Sequence, residues 1–188
     1  MSGRICPWWL GYFLVSPLRR FLEDPKEILT PYVKDGMTVL EIGGGMGFFT
    51  LPLAEMAGEA GKIISIDLQE RMVRGLMKRA AKAGLENRIE ARVCATDSLK
   101  IDDLANKVDF ALAFAVLHEV PDKERLLSEI SGAMRQDGKL LIADPRGHES
   151  EKNFNGTVAM AEAAGFQVLD RPLIRRSYAV LLRKGAGR

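Results

Sequence analysis

The sequence predicts an α/β fold: a doubly wound, mainly parallel sheet whose last strand runs the other way. Apolar strand-like runs alternate with segments of helical spacing along most of the 188 residues. A glycine-rich turn joins the first strand to the helix that follows it. Near the C-terminus two strands, Phe166 to Leu169 and roughly Leu173 to Leu182, succeed each other with no helix between them, which makes them antiparallel neighbours.

The glycine turn is the richest segment. Val39-Leu40-Glu41-Ile42 reads as a short buried strand ending in an acid, followed by Gly43, Gly44, Gly45 and Gly47. Glycine lets the backbone turn sharply and approach a ligand with no Cβ in the way. The following helix points unpaired N–H groups at the same place. A second strand, Lys62 to Asp67, ends in a carboxylate about twenty residues past the last glycine, where it can accept both hydroxyls of a ribose. This is a nucleoside-binding βαβ unit. A dinucleotide fingerprint needs a small residue at position 48, which is Phe48 here.

The other elements follow from local punctuation. Ser16-Pro17 and Asp24-Pro25 each read as an N-cap before a first-turn proline, the second opening a helix through Ile28, Leu29 and Tyr32 that Lys34-Asp35-Gly36 stops. The helix after the glycines carries Leu51, Leu53, Ala54 and Met56, with Pro52 expected to bend it or weaken its hydrogen bonding. Gln69 to Ala83 has Met72, Leu76 and Ala80 at helical spacing and Gly84 at its end. Its Arg71, Arg74, Lys78, Arg79 and Lys82 read as a solvated face. Arg88 to Cys94 and Val108 to Phe114 are strands. A helix capped by Asp122 carries Leu126, Leu127, Ile130 and Met134 and closes at Gly138, ahead of a strand from Lys139 to Ala143. Asn155 to Ala164 is the last helix.

Composition narrows the class. The chain is 47% hydrophobic with a net charge of +2, enough for a real core and too mildly basic to announce a nucleic-acid partner. Cys6 and Cys94 are far apart, which fits free thiols in a reducing cytoplasm better than a disulfide framework or a metal site. Ile5 to Val15 is apolar and holds both tryptophans and Tyr12, but Pro7 and Gly11 break it, and it is shorter than the roughly 18 to 20 residues of a membrane span. It reads as a packing segment, as a flap over a ligand cleft, or as a membrane-contacting surface. Residues 1–34 are assigned as an N-terminal helical flap and 35–188 as the nucleoside-binding domain.

Glu41, Gly43, Gly45 and Gly47, spaced E-x-G-x-G-x-G, resemble motif I of the class I S-adenosylmethionine-dependent methyltransferases. Asp97 matches the family's carboxylate after the third strand. Phe114-Ala115-Val116-Leu117-His118-Glu119-Val120-Pro121-Asp122 resembles the motif after the fourth strand in the ubiquinone/menaquinone-biosynthesis-like branch. Leu140 to Pro145 resembles the strand-five motif, and Ala163-Ala164-Gly165-Phe166 the turn into strand six. The resemblance runs from about Val33 to Lys184. It implies a Rossmann-like methyltransferase fold of seven strands and S-adenosyl-L-methionine as cofactor. Glu41, Gly43, Gly44, Gly45 and Gly47 would then hold the methionine end and Asp67, with Leu68, the ribose. Asp97, with Ser98, would meet the adenine, and Phe114 would line the methionine side. Where relatives often carry a polar residue and a second histidine in the strand-four motif, this chain has Phe114 and Glu119. The Asn/Asp-Pro-Pro-Tyr element of many amino-methyltransferases is absent, and two cysteines do not suit arsenite chemistry.

His118 is the first candidate for a general base, needed only if the acceptor must lose a proton; it reads equally as a structural histidine. Glu119 could orient it or start the next helix. Tyr12 is a second catalytic candidate, as a lid contact to the methionine carboxylate or the acceptor, and reads equally as a packing residue. Asp144 and Arg146, with His148 on the same rim, are acceptor-side candidates, Arg146 for an anionic group. Arg175 and Arg176 read as solvated. A small, partly apolar acceptor is expected, with RNA or protein as the alternative on the same fold. A non-catalytic cofactor-binding module and an NAD-dependent oxidoreductase are the readings from other classes.

Overall fold

A computed structural model of the chain describes residues 23–185. Tyr12, Cys6, the helix opening at Ser16-Pro17 and the first part of the assigned flap lie outside the described residues. The described chain divides into two units, residues 23–95 and residues 96–185.

In the first unit, Asp24 caps helix α1 (Pro25–Leu29) by accepting from the Lys26 N–H at 2.9 Å, with proline at the first position as its sequence requires. The helix ends at Leu29, sooner than Tyr32, and turns carry the chain to strand β1 (Thr38–Ile42). After the glycine loop comes α2 (Thr50–Met56). Pro52 is its third residue, within the first turn, where a proline is tolerated. Strand β2 (Lys62–Asp67), helix α3 (Glu70–Ala83) and strand β3 (Ile89–Val93) complete the unit. α3 buries Met72, Leu76 and Ala80 as a single stripe, and Gly84 ends it in the left-handed conformation. β1 and β3 each pair with β2 in parallel, Ile42 opposite Ile66 and Asp67 opposite Val93.

The second unit contains β4 (Val108–Phe114), α4 (Lys123–Ala133), β5 (Met134–Pro145), α5 (Glu151–Ala163), β6 (Phe166–Asp170) and β7 (Ser177–Lys184). Asp122 caps α4 through the Arg125 N–H at 3.0 Å. The helix does not run to Gly138: it stops at Ala133, and fully buried Met134 passes straight into β5 in extended conformation. Gly138 sits instead in an irregularity of β5, where the register with β4 jumps from Val108–Met134 to Phe110–Lys139. A Cβ there would lie 2.9 Å from the Arg135 carbonyl and 3.1 Å from that of Val108. α5 begins a turn earlier than its apolar residues suggest, because Ser150 caps it through the Asn153 N–H.

β7 pairs antiparallel with both β5 and β6. It starts at Ser177 rather than Leu173, after a six-residue loop. The seven strands take the order β3-β2-β1-β4-β5-β7-β6, the mainly parallel sheet with a reversed last strand that the sequence predicts.

Candidate functional site

The glycine loop is held by side chains from three elements of the first unit. Gly43 and Gly44 both donate to the Ile66 carbonyl, at 2.8 and 3.3 Å. Asp67, at the tip of β2, accepts from the Gly45 N–H with Oδ2 (3.0 Å) and from the Gln69 N–H with Oδ1 (2.8 Å). One carboxylate therefore ties the loop to the start of α3. Burial holds the Asp67 carboxyl above its usual range, against the pull of those two N–H groups.

Beneath the loop lies a buried cluster. Glu41 is 3% exposed. Its Oε2 accepts from the Thr50 hydroxyl at 2.5 Å and the Ser65 hydroxyl at 2.8 Å. Burial pushes this carboxyl from 4.5 up to about 7, the nearby Asp67 charge adds to the rise, and the two hydroxyls oppose it. Gly44 closes over the cluster: a Cβ there would fall 1.9 Å from Ser65 Oγ and 2.7 Å from Glu41 Oε2. Gly47, at φ +88°, leaves no room either, since its Cβ would come 2.5 Å from Leu76 Cδ1. Gly45 is the contrast, because a Cβ there would meet nothing within 4 Å. The loop is thus packed from below and open above Gly45, beside the Asp67 carboxylate.

Arg79 corrects the reading of α3 as a merely solvated face. Its guanidinium donates to the Met46 carbonyl and so clamps the far side of the loop. Leu68 is half-buried next to Asp67. Ser65 and Thr50 carry no role in the sequence reading, although a serine inside Ile63-Ile64-Ser65-Ile66 is a visible polar break in a buried strand.

In the second unit, the ends of β4 and β5 bring His118 and Asp144 together. His118 lies in a short 3₁₀ turn, Leu117–Glu119, after Ala115, which adopts φ +56°. Its Nδ1 is 2.8 Å from Asp144 Oδ1. Asp144 is 1% exposed, so it stands behind the histidine. An ionised carboxylate only accepts, which makes Nδ1 the donor and leaves Nε2 of the neutral ring with its lone pair. Glu119, which the sequence offers either as an orienting partner or as the start of the next helix, reaches Nε2 only at 3.8 Å. The His148 ring stacks on His118, with centroids 5.6 Å apart. The Asp144 hydrogen bond raises the His118 pKa above its usual value, burial works against it, and Glu119 and Glu149 add to the rise.

Arg146 is exposed, with its guanidinium over the Tyr178 ring (5.0 Å) and Nε on the Ser177 carbonyl at 3.3 Å. Phe114 is buried at the end of β4. Asp97 is exposed, and Ser98 accepts from the Lys100 N–H through its hydroxyl. Lys123 bridges the buried Glu149 (3.4 Å) and Thr157 (3.1 Å) between α4 and α5. Arg175 and Arg176 are exposed, as their sequence suggests. Among the described residues no group of three or more His, Cys, Asp or Glu side chains could hold a metal ion. No helix among them is long and apolar enough to cross a membrane.

Known proteins resemble this chain in sequence and fold. The ubiquinone/menaquinone biosynthesis C-methyltransferase UbiE of Escherichia fergusonii is 28% identical over 112 residues, which are 60% of this chain and 44% of that protein. The match thus spans less than half the length of such relatives. A SAM-dependent methyltransferase from Aquifex aeolicus superposes with a TM-score of 0.85 at 27% identity, covering 96% of this chain and 100% of the other. The [4+2]-cyclase SpnF shares the fold alone, with a TM-score of 0.74 at 18% identity over 86% of this chain and 80% of its own. Residues 33–175 match the methyltransferase domain family. Sequence motif, loop geometry and these likenesses agree: the chain belongs to that family, as a class I methyltransferase dependent on S-adenosylmethionine.

Proposed function

We propose that this chain methylates a small, partly apolar acceptor whose reacting atom loses a proton, with His118 as the general base. The observation that carries the proposal is the His118–Asp144 hydrogen bond of 2.8 Å. It fixes the tautomer, leaves Nε2 as the proton-accepting atom and stabilises the imidazolium that forms. S-adenosylmethionine, when bound, supplies a methyl group on a sulfonium that is already activated for in-line displacement. The chain's own residues bind, align and deprotonate. Glu41 and the loop from Gly43 to Gly47 are assigned to the methionine end, and Asp67 with Leu68 to the ribose. Asp97 with Ser98 is assigned to the adenine, Phe114 to the methionine side, and Arg146 to the acceptor. Asp144, being buried, is assigned to positioning His118. Alignment alone supplies a large part of such a rate, since effective molarities reach roughly 10⁵ to 10⁸ M. A cytoplasmic location is the reading favoured by two cysteines, Cys6 and Cys94, that lie far apart in the sequence.

The likeness to UbiE, a C-methyltransferase of ubiquinone/menaquinone biosynthesis, favours a small acceptor methylated on carbon over RNA or protein. The SpnF likeness is a reminder that the fold also hosts other chemistry, so binding and turnover need separate tests. Calorimetric titration with S-adenosylhomocysteine beside NAD and NADP tests binding. Release of S-adenosylhomocysteine across a panel of phenols, hydroquinones and amines tests turnover. His118→Gln should lower kcat by about 10²- to 10⁴-fold with cofactor affinity unchanged. The rate should rise with pH through a value above 6.5, because the base form grows as His118 loses its raised proton. Asp144→Asn should move that limb to lower pH while lowering the maximal rate. A pH profile that is identical in the Asp144 variant would remove His118 from the reaction.

A further inference from the structure

We infer that the loop of residues 171–176, between β6 and β7, docks this chain onto an anionic lipid surface. Its tip is unusual on two counts. Leu173 is 99% exposed, although Ile174 beside it is buried and anchors the loop through its carbonyl, which accepts from the Ser177 N–H at 3.1 Å. On the other side the Arg171 N–H is held by Asp170 Oδ1 at 2.7 Å. Pro172 fixes the backbone before the leucine. The apolar side chain is therefore held out from an anchored loop.

The second count is charge. Arg74, Arg88, Arg92, Arg125, Arg135 and Arg183 each have a carboxylate within 3.8 Å. Among the described residues, no carboxylate lies within ion-pair distance of Arg146, Arg171, Arg175 or Arg176. These four share one end of the sheet: Ser177 pairs with Pro145, and the Arg146 N–H donates to the Arg176 carbonyl at 2.9 Å. Asp170, whose carboxylate is on the Arg171 N–H, is the one acid between Phe166 and Tyr178. Among the described residues, these four arginines without a carboxylate partner stand at the same end of the sheet as one protruding leucine.

A bilayer surface takes both features together. Guanidinium groups bind headgroup phosphates through paired hydrogen bonds, and the leucine enters the interfacial apolar layer. Single-stranded RNA would use aromatic platforms for its bases, and residues 171–176 contain none. The same end of the unit carries His118, Asp144 and His148, so docking would set those residues at the lipid surface. The inference concerns binding, and it stands whether or not methyl transfer is observed.

The test is co-sedimentation of the full chain with vesicles of phosphatidylcholine alone and with about one-third phosphatidylglycerol, at low and high salt. Binding is expected to the anionic vesicles only and to weaken with salt. Each arginine near such a surface contributes on the order of fivefold, so Arg171→Gln, Arg175→Gln and Arg176→Gln together should reduce partitioning about 100-fold. Leu173→Ser should reduce it about tenfold, and replacing the three arginines with lysine should largely restore it. The positions are exposed, and an unchanged melting temperature and S-adenosylhomocysteine affinity would show that the variants fold. The inference is overturned if the wild type does not sediment, if the triple glutamine variant sediments equally, or if an unstructured RNA binds through these arginines while vesicles do not.

Discussion

Replacing Glu41 by glutamine should make the protein more stable and worse at holding its cofactor. Glu41 lies buried with Oε2 on two hydroxyls, and burial lifts its pKa from 4.5 to about 7. A rise of that size corresponds to about 3 kcal/mol of preference for the neutral acid in the folded state. The sign follows from proton counts. Between pH 4.5 and 7 the unfolded chain has released this proton and the folded chain still holds it, so stability falls as pH rises and levels off above about 7. Glutamine keeps the shape and an oxygen that can accept from Thr50 and Ser65, but it never ionises. Glu41→Gln should therefore match the wild type near pH 4 and exceed it by up to about 3 kcal/mol at pH 8. Urea unfolding of both proteins at several pH values measures the difference directly. Parallel stability curves would refute the reasoning. If the ionised carboxyl also serves the cofactor's ammonium, as proposed, S-adenosylhomocysteine should bind the variant at least tenfold more weakly at pH 8. A more stable variant with unchanged affinity would leave Glu41 a purely internal support.

Gly44→Ala drives a Cβ to 1.9 Å from Ser65 Oγ, so the loop must move. Affinity for S-adenosylhomocysteine should fall about tenfold or more by calorimetry, and Ser65→Ala in the same chain should recover part of it. Arg79→Met removes the donor from the Met46 carbonyl while keeping the helix residue's bulk. Cofactor affinity should drop severalfold with a melting temperature changed by little, whereas an unaltered affinity would return Arg79 to a surface role. Lys123→Met leaves the buried Glu149 carboxylate with the Ser150 N–H alone and should cost about 3 kcal/mol in urea unfolding. Adding Glu149→Gln should restore most of that loss, and failure to do so would place the cost in packing rather than in unpaired charge.

Much of this was legible along the chain because the signals were local. Strands β2 and β4 fall at the bounds their apolar runs mark, and Gly84 ends α3 in the left-handed conformation its position implies. The misread boundaries share a cause. α5 starts with the exposed first turn Glu151-Lys152-Asn153, which offers no apolar periodicity, and the glycine at the passage from α4 to β5, Gly132, lies inside the last turn of the helix rather than past its end. Tertiary burial of Met134 makes that turn, and no short window contains it. The same limit applies to the site. The glycines, Glu41 and Asp67 announce themselves by spacing. The carboxylate that holds His118 comes from 26 residues further on, at the end of the neighbouring strand β5.

The two units also differ in where they leave polar groups unsatisfied. Around the glycine loop, Glu41, Thr50, Ser65, Asp67 and Arg79 all have partners. Among the described residues, the buried side-chain atoms without a hydrogen bond are Asp144 Oδ2, Ser177 Oγ and Arg183 Nε, and the last still lies 3.8 Å from Asp137. The first two sit at the end of β5 and on the adjoining start of β7. Left-handed Ala115 and Arg176 lie immediately beyond the ends of β4 and β7 in the same unit. Each orphan costs about 1–3 kcal/mol, and each strained non-glycine residue a comparable amount. Such costs cluster where geometry serves chemistry rather than stability. A carboxylate with one oxygen on His118 and the other unpaired directs its hydrogen bonding at the imidazole alone. That explains why Asp144, and not the more exposed Glu119, governs the proton on His118.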